Sequence, residues 1–91
     1  MLYMVVERFL QGTAPVYQRF AERGRLLPEG LRYLDSWVDQ NGGRCFQLME
    51  TDAPELFEEW TRLWADLVSF EIVPVIPSTE ATTRLDPRPD R

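Results

Sequence analysis

The chain has 91 residues, of which 44% are hydrophobic and 27% are charged, a composition typical of one globular domain. Its 15 acidic residues outnumber its 10 basic residues, all arginines, and give a net charge of -5. Because a negative surface repels phosphate backbones, this balance disfavours nucleic-acid binding. A domain of this size often needs a partner subunit to complete its hydrophobic core.

The sequence has no histidine and a single cysteine, Cys45. The lack of histidine removes the commonest general base, the usual zinc ligand and the usual haem ligand. The carboxylates are scattered along the chain, so we predict no metal and no cofactor. We expect Cys45 to be a small buried residue of a strand and not a reactive thiol.

The apolar run at residues 1–6 is interrupted by Glu7 and Arg8. It is therefore far shorter than a signal-peptide core or a membrane span. We expect a cytoplasmic protein with no membrane partner.

Residues 2–9, LYMVVERF, predict a first strand that is apolar on both faces, as is typical of a central strand. A first helix is expected to begin with Thr13 as N-cap, to carry Pro15 in its first turn and to end at Gly24. One side of that helix is apolar and consists of Val16, Tyr17, Phe20 and Ala21.

Residues 31–50 predict a β-hairpin, with its turn at residues 40–43, QNGG. Tyr33 and Trp37 fall in the same alternating phase of its first strand and are expected to share a face. Neither phase of either strand is cleanly polar. The pattern therefore leaves open which face of the sheet meets the helices.

A second helix is indicated by Asp52 as N-cap, Pro54 in the first turn and Glu55 as the acid of a capping box. Its apolar residues recur at helical spacing and are Leu56, Trp60, Leu63, Trp64 and Leu67. Glu58 and Arg62 are expected to form an i,i+4 ion pair on the exposed side.

Residues 69–76 predict the last strand, and Pro74 places that strand at an edge of the sheet because proline lacks an N–H donor. Residues 77–91 are rich in proline, threonine and charge, and are expected to form a flexible C-terminal tail. The folded domain is therefore expected to cover residues 1–76.

The order strand, helix, strand, strand, helix, strand predicts an α+β fold of the ferredoxin-like βαββαβ type. Its antiparallel sheet would have the strand order 4-1-3-2, with both helices on one face. The other face would expose roughly several hundred Å² of apolar surface, whose burial stabilises by about 25 cal/mol per Å². We therefore predict a homodimer in which two sheets pack face to face.

Four segments carry a resemblance to known proteins, namely MLYMVVERF, RFAERGRLLPEGLRYLDSWVD, GGRCFQLMETDAPELFEEW and WADLVSFEIVPV. Over roughly residues 1–76 they resemble a family of short bacterial proteins known only as a domain of unknown function. The resemblance implies membership of the dimeric α+β barrel superfamily, which includes cofactor-free monooxygenases, muconolactone-type isomerases, haem chlorite dismutases and uncharacterised stress proteins. It implies no particular catalytic residues, and without histidine the chain has no axial haem ligand of the usual kind.

In such a dimer, a ligand cavity is expected between each sheet and its own helices. Glu7 is the candidate general base, because a carboxylate in a largely apolar strand has a raised pKa. The alternative is a structural ion pair, for which Arg44 is a candidate partner. At the opposite end of the sheet, Glu50 is expected to be solvated or ion-paired.

The candidate ligand-binding residues are Tyr33, Trp37, Trp60, Trp64 and Arg25. The aromatic residues would line an apolar pocket, although tryptophans at helical spacing more commonly belong to a core. Arg25 would hold an anionic group bidentately, or would lie at the surface near the end of the first helix.

The segment RCFQLME occupies the position where RNA-recognition domains of this topology carry stacking aromatic residues. Phe46 is its single aromatic residue, and the net charge of -5 opposes RNA binding. We therefore predict no nucleic-acid partner.

Three functions remain open at this point. The first is binding of an apolar or aromatic small molecule, the second is a cofactor-free monooxygenase or isomerase-like reaction, and the third is a regulatory or assembly module without a pocket. An enclosed cavity of about 300 Å³ or more that contains Glu7 would favour the enzyme. An apolar cavity without a carboxylate would favour the binder, and a fully packed interface would leave the module.

Overall fold

A computed structural model describes residues 1–85 and contains one four-stranded antiparallel sheet and three helices in that range. The strands are β1 (Leu2–Phe9), β2 (Arg32–Val38), β3 (Arg44–Glu50) and β4 (Val68–Val75), and the helices are α1 (Thr13–Arg23), α2 (Leu56–Arg62) and α3 (Ser78–Arg84). The strand order is β2-β3-β1-β4. The predicted α+β fold, the ferredoxin-like strand order, the hairpin and the edge position of the strand that carries Pro74 are confirmed.

The burial pattern of the two central strands decides which face of the sheet meets the helices. In β1 the buried residues are Tyr3, Val5 and Glu7, and in β3 they are Cys45, Gln47 and Met49. The residues between them are only partly buried. The odd-numbered residues of both strands therefore face the helices, and the even-numbered residues form the opposite face.

The hydrophobic core lies between the sheet and the segment from α2 to β4. Trp60 is 1% exposed, and its ring lies 5.4 Å from Phe70 and 6.5 Å from Phe57, measured between ring centroids. The helix is shorter than its apolar pattern implies, because it ends at Arg62 and the chain continues in turns. These turns still bury Trp64 and Leu67.

The start of α2 differs from the prediction. Thr51 is 2% exposed, and its hydroxyl accepts a hydrogen bond of 3.0 Å from the N–H of Ala53. Asp52 is exposed, and Glu55 is the N-cap but makes no capping hydrogen bond with its side chain. The predicted N-cap role of Asp52 is wrong, because the buried threonine hydroxyl takes the N–H group of this turn. Similarly, Thr13 is the first residue of α1, and Gly12 is its N-cap.

A β-bulge divides β2 into two parts. Tyr33 pairs with Met49 on β3, yet the next paired residue is Asp35, opposite Leu48, so Leu34 is the extra residue. An extra residue exchanges the faces of everything that follows it. Trp37 therefore lies on the face away from the helices, where it is 52% exposed. The prediction that Tyr33 and Trp37 share a face is wrong, because simple alternation assumes a strand without a bulge.

Helix α1 contains no buried residue, and Val16 on its apolar side packs against the core while Arg19 attaches its polar side. The Arg19 guanidinium donates hydrogen bonds of 2.8 and 2.6 Å to the two carboxylate oxygens of Asp66, and a third of 3.1 Å to the carbonyl of Leu63. The helix ends at Gly24 as predicted, with φ at 70°, and the N–H of Gly24 donates to the carbonyl of Phe20.

Helix α3 occupies part of the stretch that was predicted to be a tail. It contains no buried residue, and Glu80 and Arg84 form an i,i+4 ion pair of 2.9 Å along it. The remainder of the predicted tail, residues 86–91, lies outside the described residues. Within residues 1–85, none of the helices has the length and apolar character required to cross a membrane.

Candidate functional site

A partly open cleft of about 150 Å³ lies between α1 and the helix-facing side of the sheet. It is lined by Glu7, Phe9, Val16, Tyr17, Phe20, Arg25, Ser36, Val38, Cys45, Gln47, Trp60 and Trp64. An apolar and aromatic wall with a few polar groups is typical of small-molecule sites, which commonly have about 300 Å³ or more. The cleft is smaller than that and contains Glu7, so it meets neither the criterion stated for the enzyme nor the one stated for the binder. Its volume suits a molecule with a single ring.

Glu7 lies at the floor of this cleft and is 7% exposed. Gln47 Nε2 donates a hydrogen bond of 2.7 Å to Glu7 Oε1. Burial raises the pKa of the Glu7 carboxyl, and hydrogen bonds from Gln47 and Cys45, together with the charge of Arg25, offset part of that rise. The Glu7 carboxyl is therefore more readily protonated than an exposed glutamate.

The alternative role of Glu7 was an ion pair with Arg44, and this ion pair is not formed. Arg44 pairs with Asp39 at 3.3 Å and belongs to the even-numbered face of the sheet, whereas Glu7 belongs to the odd-numbered face. Glu50, at the other end of the sheet, pairs with Arg32 as expected.

Arg25 lies in the loop after α1, and its backbone is fixed by both tryptophans of the core. Trp60 Nε1 and Trp64 Nε1 donate hydrogen bonds of 2.9 and 3.0 Å to the carbonyl oxygen of Arg25. Its guanidinium lies over the ring of Tyr33 at 3.5 Å and near Phe20 at 5.0 Å. The side chain is thus held by stacking at the edge of the cleft and not free at the surface.

A hydrogen-bonded chain crosses the floor of the cleft from Arg25 to Glu7. Arg25 Nε donates to Gln47 Oε1 at 3.4 Å, and the amide group of Gln47 in turn donates to Glu7. Gln47 is a residue of the site that the sequence pattern does not identify. The available signal was a polar residue in the same phase of β3 as the apolar Cys45 and Met49.

Cys45 is buried in a strand, as predicted, and it lies opposite Glu7 in the pairing of β1 with β3. Burial raises the pKa of its thiol to about 12, and the neighbouring Glu7 carboxylate contributes to the rise. The thiol is therefore protonated at neutral pH and is a poor nucleophile.

The structure brings together most, but not all, of the predicted ligand-binding residues. Trp60 and Trp64 line the cleft while they also belong to the core, and Tyr33 lies beneath Arg25. Trp37 lies on the opposite face of the sheet, away from the cleft. No group of three or more histidine, cysteine, aspartate or glutamate side chains within residues 1–85 has an arrangement suited to a metal ion.

Replacing Glu7 with glutamine is expected to remove a pH dependence of stability. Because the pKa of Glu7 in the folded state lies above the ordinary value of 4.5, the folded state binds more protons than the unfolded state. The free energy of unfolding of the natural chain should therefore fall as the pH rises from about 4.5 through the folded-state pKa, and glutamine should abolish this fall. Urea unfolding between pH 4.5 and 8 measures the difference.

Other carboxylates should not obscure this measurement. The pKa values of Asp39 and Asp66 are lowered, by hydrogen bonds from the Asn41 backbone and the Arg19 side chain respectively, so their contributions change below the ordinary value of 3.8. Glu59→Gln, at an exposed position of α2, is the matched control and should keep the pH profile of the natural chain. If the free energy of unfolding depended on pH in the same way in the natural chain and in Glu7→Gln, Glu7 would not be the source of the pH dependence.

The fold and the cleft define a small α+β protein with a half-open, aromatic-lined site on the helical side of its sheet. The chain belongs to the family described as Domain of unknown function (DUF3303), which matches residues 1–88. The expectation of a family without an assigned function is therefore confirmed.

Among curated proteins, the chain is similar to the Ribosomal RNA large subunit methyltransferase K/L of Methylococcus capsulatus, with 30% identity over 91 residues. The alignment covers 92% of this chain but only 12% of the methyltransferase. The chain thus corresponds to a small part of that protein. No solved structure matches the chain significantly.

Proposed function

We propose that the protein binds a small apolar or aromatic molecule in the cleft between α1 and the sheet. The observation that carries this proposal is an aromatic wall that is left about half exposed. Tyr17 and Phe20 are 48% and 44% exposed, although both line the cleft. A bound ring would remove this apolar surface from water, and the polar floor at Glu7 and Gln47 would orient it.

Filling the cleft with a side chain tests this proposal. Val38 lines the cleft and is 47% exposed, so Val38→Phe should occupy the site without disturbing the core. Leu10→Phe, at a residue that is 57% exposed and outside this cleft, is the control. Binding of small aromatic molecules, followed by saturation-transfer NMR, should weaken at least about tenfold in Val38→Phe, since one lost apolar contact of about 1.4 kcal/mol has that effect. Equal binding by both variants would contradict the proposal.

A second candidate function is catalysis without a cofactor, with Glu7 as the general base. The observation in its favour is the burial of Glu7 at the cleft floor, which raises the pKa of its carboxyl above the ordinary value and so makes the carboxylate a stronger base. Once a substrate is known, Glu7→Gln should abolish turnover while the affinity for the substrate is kept. Turnover that survives this substitution would leave binding as the function.

The two remaining alternatives have less support. The existence of a cleft disfavours an assembly module without a pocket. An RNA-directed activity like that in the name of the similar methyltransferase is disfavoured by the net charge of -5.

We also propose that the protein is a homodimer of the dimeric α+β barrel type, with the even-numbered sheet faces packed together. This face carries partly exposed apolar residues along both central strands, namely Leu2, Met4, Val6, Phe46 and Leu48. Four strands of seven or eight residues span a face of roughly 480 Å². Protruding side chains add to this flat area, so the surface buried by two such faces exceeds the lower limit of about 1,000 Å² for a specific interface.

A further inference from the structure

Arg25 differs from the other arginines of residues 1–85 in being half-buried without an ion pair. Five of them pair with a carboxylate, namely Arg19, Arg32, Arg44, Arg62 and Arg84. Arg8 and Arg23 form no ion pair within residues 1–85, but both are exposed. Taking a guanidinium partly out of water without a counter-charge costs free energy. The position of Arg25 therefore indicates a role beyond stability.

The guanidinium of Arg25 is fixed in a defined plane. Its backbone carbonyl is held by the two indole N–H groups, and its side chain stacks on Tyr33 at 3.5 Å. Stacking of a planar group on a ring limits its rotation, so less conformational entropy is lost when a ligand binds.

Two of the hydrogen-bonding groups of Arg25 remain available to a ligand. Its Nε donates to Gln47, whereas its two terminal amino groups make no hydrogen bond within residues 1–85. Since none of the side-chain nitrogens in those residues is buried without a partner, these amino groups are accessible to solvent, and Arg25 is one of the residues that line the cleft. Two parallel N–H donors of a guanidinium match the two oxygens of a carboxylate.

Glu7 does not form an ion pair with the guanidinium of Arg25. The amide of Gln47 separates Glu7 from Arg25, and the two charged groups form no ion pair, although the charge of Arg25 lowers the pKa of Glu7. The remaining surroundings of the terminal amino groups are rings, above all Phe20 and Tyr33. The cleft thus combines an unpaired cation with a flat apolar wall.

We propose that the ligand of the cleft is a carboxylate on a flat apolar body, with its two oxygens on the terminal nitrogens of Arg25 and its ring against the aromatic residues of α1. This inference rests on the proposed binding function and adds the chemical class of the ligand. A volume of about 150 Å³ restricts that body to about one ring.

Pairs of probes that differ only in charge test the inference. Benzoate and phenylacetate are compared with benzamide and phenylacetamide by protein-observed ¹H–¹⁵N NMR titration at pH 7. With the natural chain, each carboxylate should bind at least tenfold more tightly than its amide, and the shifts should include residues that line the cleft. This comparison needs no variant and does not depend on the folding of one.

Substitution of Arg25 then assigns the preference to its guanidinium. Arg25→Gln should reduce carboxylate affinity at least tenfold and amide affinity less than threefold, while Arg25→Lys, which keeps the charge but not the planar pair of donors, should fall between. Arg23→Gln removes an exposed arginine two positions away and should bind like the natural chain. Loss of the preference in Arg23→Gln as well would overturn the inference.

The outcomes separate this inference from the binding function itself. If the amides bind in the cleft as tightly as the carboxylates, the ligand class is wrong and the binding function stands. If neither kind of probe shifts the residues of the cleft, both proposals fail. If the carboxylates bind more tightly but shift residues elsewhere, the assignment to Arg25 is wrong.

Discussion

Trp60→Ala is expected to destabilise the domain by about 3 to 5 kcal/mol, the usual cost of replacing a buried tryptophan with alanine. Trp60 is 1% exposed, and its loss would leave a cavity against Phe57 and Phe70. It would also remove one of the two N–H donors from the carbonyl of Arg25. Since natural domains have only about 5 to 15 kcal/mol of stability, the variant should lose a large fraction of it and unfold at a much lower urea concentration.

Two further variants separate packing from hydrogen bonding at this position. Trp60→Phe keeps much of the ring but not the N–H group. Leu63→Ala, at a residue of the same segment that is 46% exposed, is the surface control and should cost less than about 1 kcal/mol. Urea unfolding followed by far-ultraviolet circular dichroism compares all three variants without relying on tryptophan fluorescence. A loss below about 1 kcal/mol in Trp60→Ala would mean that the core is not built around this ring.

Leu48→Arg is expected to convert the proposed dimer into a folded monomer. Leu48 lies on a central strand opposite Met4 and Asp35, within the face that we propose is buried between two copies. In a monomer the new guanidinium reaches water and lies across from the carboxylate of Asp35, so the subunit should keep its fold. In the dimer it would have to be desolvated at a cost of several kcal/mol, which raises the dissociation constant at least about a hundredfold.

Sedimentation velocity between about 1 and 100 µM measures this change. Leu63→Arg places the same substitution at an exposed residue on the helical side and should leave the dimer intact. A natural chain that sediments as a monomer throughout the range would refute the dimer. A dimeric Leu48→Arg variant would show that the two copies meet through a different surface.

Much of the fold follows from local patterns in the sequence. The apolar residues of β1, the turn of the hairpin and the proline of β4 identify these elements, and the succession βαββαβ predicts the strand order that the structure has. Gly24 ends α1 as the local pattern predicts, because its positive φ suits a residue without a side chain.

The errors arise where long-range contacts override a local rule. The bulge at Leu34 has no signature in the residues of β2, yet it moves Trp37 to the other side of the sheet. The cap of α2 is decided by the burial of Thr51, which a linear pattern does not contain. The site was predicted in part, since Glu7, Arg25 and the tryptophans were identified, but Gln47 connects Arg25 to Glu7 only because the pairing of β1 with β3 brings it beside Glu7.

The hydrogen bonds from the indoles of Trp60 and Trp64 to the carbonyl of Arg25 affect which side of the cleft opens more easily. The loop at Arg25 is attached to Trp60 and Trp64 of the core, so we expect this side of the site to open at a higher free energy than an unattached loop. The opposite side, α1, has no buried residue and opens at lower free energy. Entry and exit of a small molecule would therefore occur by movement of the helix over an immobile floor, and occupancy of the site would raise the melting temperature of the entire chain.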